Sequence, residues 1–157
     1  MTWGFWTKKV TEPRALIKEP QQDNTIITAL YASILDLLWF VLTFWVILGR
    51  WKYGVSLGDG QEKDLNRRIR AHANFIETVP LTLILLWFGE SYVFSELLSH
   101  VFGIGLLVGR VLHAVGMLIP KRTTNLLRQM GMALTITVLT SVSLWIFVGL
   151  GLGITAA

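Results

Sequence analysis

On an α-helix Arg70, Asn74 and Glu77 stand at i, i+4 and i+7, so a guanidinium, an amide and a carboxylate share one narrow stripe. That stripe starts in the basic stretch Arg67-Arg68-Ile69-Arg70 and climbs into an apolar one. Arg110 and His113, at i and i+3, put a second cation and an imidazole on one helix face. At about 1.5 Å per residue, Glu77 lies about 10 Å beyond Arg70 and Arg110 about 16 Å before Lys121, so the two stripes reach a common depth. Two readings follow. Glu77 and Arg110 form a structural ion pair that neutralises two buried charges, or the groups line a polar pocket that opens toward the basic interface.

The elements that carry these stripes are long hydrophobic runs. The 157 residues are 53% hydrophobic, with a mean hydropathy of +0.56, which is more apolar surface than a soluble globule hides. Four runs approach the roughly 20 residues that a helix needs to cross about 30 Å of hydrocarbon. They extend from Ile26 to Leu48, from the Arg67–Ala71 region to about Phe88, from Phe94 or Leu97 to Ile119, and from Leu126 to Leu152. The expected fold class is therefore all-α, an integral membrane four-helix bundle over 25–157, preceded by a tail over 1–24. That tail, with Trp3, Phe5, Trp6, Lys8 and Lys9, has no continuous apolar centre or small-residue cleavage site and is read as retained.

The connections are short. Gly58-Asp59-Gly60 marks a tight turn in the first link, Gly89-Glu90-Ser91 reads as a brief second turn, and Pro120 followed by Lys121-Arg122 forms the third. Pro80 falls inside the second span and predicts a kink between Ile76 and Pro80. Gly105 and Gly109 form a small-xxx-small pair that lets another helix come close. The Thr and Ser residues of the fourth span can bond to their own helix carbonyls and receive no function.

A formal charge of +4 does not indicate nucleic acid, because the basic residues occupy the gaps between the apolar runs rather than one exposed face. The first and third links carry nearly all the Lys and Arg outside the tail, and the second link carries none. The positive-inside rule then places those two links in the cytoplasm and both termini on the opposite side of a multi-pass protein. With no cysteine, the chain offers no thiolate metal site and no thiol nucleophile, so any sulfur chemistry uses a ligand's sulfur; no metal site is assigned.

The run Arg68-Ile69-Arg70-Ala71-His72-Ala73-Asn74-Phe75-Ile76-Glu77-Thr78-Val79-Pro80, supported by Gly109-Arg110-Val111-Leu112-His113, resembles the membrane-associated proteins in eicosanoid and glutathione metabolism. The resemblance covers nearly the whole chain after the tail. It implies a homotrimer of four-helix subunits with glutathione bound between neighbours near the cytoplasmic surface. Arg70 and Asn74 would hold its carboxylate and amide groups, and Glu77 would take its ammonium or lock Arg110, with His113 beside them. Arg128 matches the family's arginine at the start of the fourth helix, where a fixed cation favours the thiolate; Arg122 stands in the same turn. Arg50, at the end of the first span, would reach the ligand or anchor at the interface.

The implied activity is a glutathione-dependent transferase or peroxidase acting on a lipophilic small-molecule substrate that arrives through membrane lipid. Eicosanoid-handling members use tyrosines near the ligand, whereas this chain has Thr78 after Glu77 and Met117 one turn after His113. That favours a general transferase or peroxidase. A non-catalytic lipid-binding scaffold on the same fold is the alternative, and an ion pathway through Asp36, Glu77, Arg110 and His113 is a third. His72 points away from the Arg70 stripe and reads as a packing histidine, His100 as a headgroup contact. Asp36, mid-way along the first span, is left open between an acceptor for Arg110 or His113, a protonated acid and a polar trimer core.

Overall fold

A computed structural model describes residues 26–119 and 125–153. The 1–24 tail, Pro120, Lys121 and Arg122 lie outside those residues. Four helices follow in order: α1 (Ile26–Tyr53), α2 (Lys63–Tyr92), α3 (Glu96–Leu118) and α4 (Leu126–Gly151). All four are long and apolar enough to cross a membrane, as the lengths of the sequence runs require.

α1 packs on α2 and α3, while α4 packs on α3 and α2; α1 and α4 do not meet. The core between them holds Leu35, Leu42, Phe75, Leu86, Leu106 and Val142. Most of the remaining apolar surface faces outward, including Phe40, Trp87, Val101 and Phe147, which is the pattern of a bundle solvated by lipid chains.

α3 and α4 are drawn together by glycine. A Cβ on Gly109 would stand 2.8 Å from Thr135 Oγ1, and one on Gly116 would stand 2.5 Å from the Arg128 nitrogen and 2.8 Å from its Cα. A Cβ on Gly131 would collide with the backbone of His113. Gly105 faces only the Val138 side chain, so the close approach expected of the Gly105/Gly109 pair is made mainly by Gly109, with Gly116 and Gly131 extending it.

The hydroxyls of α4 behave as expected: Thr135, Thr140 and Ser143 donate to carbonyls of their own helix at 2.8–2.9 Å. α2 continues through Pro80 as one helix. In the first link, Gly58 and Gly60 take positive φ values of 71° and 58°, which glycine adopts without a Cβ penalty.

The second link differs from the expected turn. Gly89, Glu90 and Ser91 belong to the last turns of α2, and the chain reverses over Val93–Ser95. Phe94 folds its ring against Gly89, and the amides of Val93 and Phe94 both bond to the Gly89 carbonyl. Glu90 is 2% exposed, and its two carboxylate oxygens accept from the amides of Ile27 at 3.0 Å and Thr28 at 2.8 Å. The first amides of a helix have no partner inside it and carry the positive end of its dipole. A carboxylate delivered by the end of α2 satisfies both demands, so Glu90 is buried as a cap on α1. His100 is half-buried, with Nδ1 3.0 Å from the Tyr31 hydroxyl.

Candidate functional site

At the end of the bundle where Arg67, Arg70 and Arg128 gather, α2, α3 and α4 enclose an open cavity of about 620 Å³. α2 reaches it with Arg70 and Asn74, α3 with His113 and Met117, and α4 with Arg128 and Met132. The α3–α4 glycine contacts explain part of this arrangement. Gly116 lies against the Arg128 backbone, and Asn125 bridges the two helices, donating from Nδ2 to the Gly116 carbonyl at 3.1 Å while its Oδ1 caps the Leu127 amide at 3.0 Å. Arg128 therefore begins α4 from a backbone held on two sides.

Behind the lining sits Arg110, 1% exposed. Its Nη2 donates to Asn74 Oδ1 at 2.9 Å and lies 3.4 Å from His113 Nδ1; its Nη1 lies 3.4 Å from Thr78 Oγ1. Thr78 is oriented for this by donating to the Asn74 carbonyl at 2.8 Å. The guanidinium carbon stands 5.5 Å from the centroid of the Phe75 ring, within cation–π range. Nε is buried without a partner.

The expected Glu77–Arg110 ion pair is not formed. Glu77 is exposed on the outer side of α2, and both ion pairs among the described residues belong to Asp64, with Arg67 and Arg68 at 2.9 Å each. The reason is rotation about the α2 axis. At about 100° per residue, Glu77 stands about 200° from Phe75, whereas Thr78 and Asn74 lie about 60° and about 100° from it on one side. Burying Phe75 and Val79 in the core turns the amide and the hydroxyl, not the carboxylate, toward α3. A buried cation served only by neutral acceptors is costly, since paired charges are the usual way to offset desolvation.

Of the residues expected from sequence, Arg70, Asn74, His113 and Arg128 line one cavity and Arg110 supports it from behind. Glu77 is outside the lining, and so is Arg50, whose Nη1 donates to the Ser56 and Gly58 carbonyls at 3.2 and 3.0 Å and holds the first link in place. His72 packs between α1 and α2, with Nε2 3.0 Å from Thr43 Oγ1. The structure adds Asn66, Gln129, Met132 and Ile136 to the lining. Helical spacing from residues already singled out carries that signal: Asn66 precedes Arg70 by four, and Met132 and Ile136 follow Arg128 by four and eight.

The lining contains three arginines and no carboxylate. Arg67 is paired with Asp64, which leaves Arg70 and Arg128 as cations lining the cavity together with the apolar Met117, Met132, Ala133 and Ile136. Such a site suits an anion with an apolar or sulfur-bearing portion, received by guanidinium forks.

A sequence model described as the MAPEG family matches residues 28–148. The inner membrane protein YecN of Escherichia coli strain K12 is 36% identical over 91 residues, which are 58% of this chain and 70% of that protein. The inner membrane protein YecN of Escherichia coli O6:H1 matches to the same extent.

Proposed function

This chain belongs to the MAPEG family, a multi-pass integral membrane protein, and on that premise we propose that it is a glutathione-dependent transferase or peroxidase for lipophilic electrophiles or hydroperoxides. One observation carries the reading: Arg70 and Arg128 face a cavity with no acid in its lining, in front of the buried Arg110. A peptide with two carboxylates is a ligand for which that charge excess is useful.

Glutathione supplies a thiol that attacks an electrophilic carbon or the oxygen of a hydroperoxide. The chain's part is to bind and polarise. Arg70 receives a carboxylate as a bidentate fork, and Asn74, its Oδ1 occupied by Arg110, offers Nδ2 to a ligand carbonyl in place of its long contact with the Met132 sulfur. Arg128 holds positive charge where the thiol sits, which raises the thiolate population. Arg110, itself contacted by His113, sets the orientation of Asn74 from behind. The ammonium of the ligand needs an acid, and Glu77, exposed one turn beyond Asn74, serves where a second copy closes the open side of the cavity in a homotrimer. Met117, Met132 and Ile136 form the wall along which the lipophilic substrate enters from the bilayer. In conjugation the thiolate displaces the leaving group; with a hydroperoxide, two thiols become a disulfide as the peroxide becomes an alcohol and water.

The basic links facing the cytoplasm, with both termini opposite, complete the proposal. Purified protein is expected to conjugate 1-chloro-2,4-dinitrobenzene or reduce cumene hydroperoxide with glutathione, and Arg128→Ala to lower kcat by about 10²-fold or more. Inactivity of the wild-type chain toward both substrates, with no calorimetric response to glutathione, refutes it and favours the non-catalytic lipid-binding alternative.

A further inference from the structure

The groove between α1 and α2, on a different face from the arginine cavity, encloses about 600 Å³ and is walled by Leu35, Trp39, Phe75, Val79 and Leu83. One ionisable group lies in it, Asp36. Asp36 stands about 15 Å from the start of α1 and about 25 Å from its end, at about 1.5 Å per residue, and so falls at mid-membrane depth. It is exposed, and neither ion pair among the described residues involves it. A carboxylate at this depth needs a counter-charge or a donor.

Among the described residues, none provides the counter-charge. Copies related by an axis along the membrane normal hold their residues at equal depths, so a neighbour can present to Asp36 only what lies level with it. The exposed basic residues among those described are Lys52, Lys63 and Arg70, all nearer the basic end of the helices than Asp36 is. Arg110 is 1% exposed and committed to Asn74 and Thr78. Glu77, the other acid near this level, adds negative charge.

The remaining features of the groove favour a nitrogen cation. Pro80 lines it beside Ile76, and because proline has no N–H, the Ile76 carbonyl lacks its helical donor and stands as a second acceptor. The Trp39 indole, 36% exposed on the same wall, offers a face to a cation. The rest of the surface suits an alkyl chain.

We propose that the α1–α2 groove is a lipid-facing binding site for amphiphilic amines, whose ammonium is held by Asp36 with the Ile76 carbonyl and the Trp39 ring while the apolar body lies along Phe75, Val79 and Leu83. The site is independent of glutathione binding. It takes its ligand from the bilayer, where such amines concentrate with the charge near the headgroups and reach the groove by moving inward along α1.

The test uses the full chain in nanodiscs and radiolabelled dodecylamine, with dodecanol as the uncharged counterpart. Saturable binding of one amine per chain is expected, at least about tenfold tighter than dodecanol, and Asp36→Asn should erase that preference. Ala32→Phe, which fills the groove and leaves the carboxyl group in the chain, should abolish binding of both probes, and it carries the test if Asp36→Asn does not fold. Equal affinity for amine and alcohol overturns the proposal. Amine binding unchanged in Asp36→Asn overturns it as well. Because the chain has no cysteine, Asp36→Cys reports whether copies meet there: a disulfide-linked dimer formed in the membrane would show the groove sealed by a second copy, and would also overturn it.

Discussion

Asn74→Ala tests the central claim about Arg110, that a buried cation is held by an amide instead of an acid. The substitution removes the acceptor at 2.9 Å from a guanidinium that is 1% exposed, leaving the 3.4 Å contacts to Thr78 and His113. Losing a hydrogen bond to a buried charged group costs about 1.5–3 kcal/mol, and because Nε is already without a partner the upper part of that range applies. Arg110→Met removes the charge itself. The Asn74 amide then loses one donor, Thr78 keeps its bond to the Asn74 carbonyl, and the methionine packs on Phe75, so the expected cost is within about 1 kcal/mol of zero. The double variant should recover most of the Asn74→Ala loss, a coupling of about 1.5–2 kcal/mol. Reversible unfolding in mixed micelles, followed by circular dichroism, measures all three. For a chain of this size the single Asn74→Ala change corresponds to a fall in Tm of roughly 5–10 °C. Arg110→Met more destabilising than Asn74→Ala, or three additive effects, would refute the reasoning and imply that an acid compensates Arg110 in the assembled protein.

Gly116→Ala places a methyl 2.5 Å from the Arg128 nitrogen, where only backbone can give way. A loss of about 3 kcal/mol is expected, while Gly151→Ala, with nothing within 4 Å, should change the same unfolding midpoint little. Glu90→Gln keeps an acceptor for one amide and loses the charge at the α1 N-terminus, at about 1–2 kcal/mol; hydrogen exchange should accelerate first at Ile27 and Thr28. In the first link, the Asn66 side chain and then the Gln61 amide bond the Asp59 carboxylate and hold its pKa below the ordinary 3.8. A depressed acid contributes stability that is complete above 3.8 and is lost as pH falls through the lower folded value. Proteolysis of the link should therefore rise only below that pH, and Asn66→Ala should move its onset upward.

Several features were legible without coordinates because each rests on a local rule. An uninterrupted apolar run of about 20 residues crosses hydrocarbon as a helix, so four such runs in the chain meant four helices. The 3.6-residue period placed Arg70 and Asn74 on one side of α2, and the same period on α3 joined Arg110 to His113. The hydroxyls of α4 bond within their own helix, which required no tertiary information either.

Other features depended on how one helix is turned against another. The stripe on α2 contains both a carboxylate and an amide, and its sequence is equally compatible with either facing α3. The burial of Phe75 and Val79 decides that Asn74 receives Arg110 and that Glu77 faces outward. Glu90 reads locally as a polar residue in a turn; its role as a cap depends on the start of α1, 63 residues earlier, arriving at the end of α2. Arg50 is taken up by carbonyls of a loop whose path no periodicity describes.

Membership of the membrane, the number of spans and the residue types at the site were thus determined by sequence alone, since hydropathy and helical period act on consecutive residues. Which of those residues meet, and that two arginines face a cavity without an acid, was decided only by tertiary structure. Axial rotation and glycine-mediated approach of α3 to α4 are set by contacts between segments far apart in the chain, and those contacts leave no periodic trace.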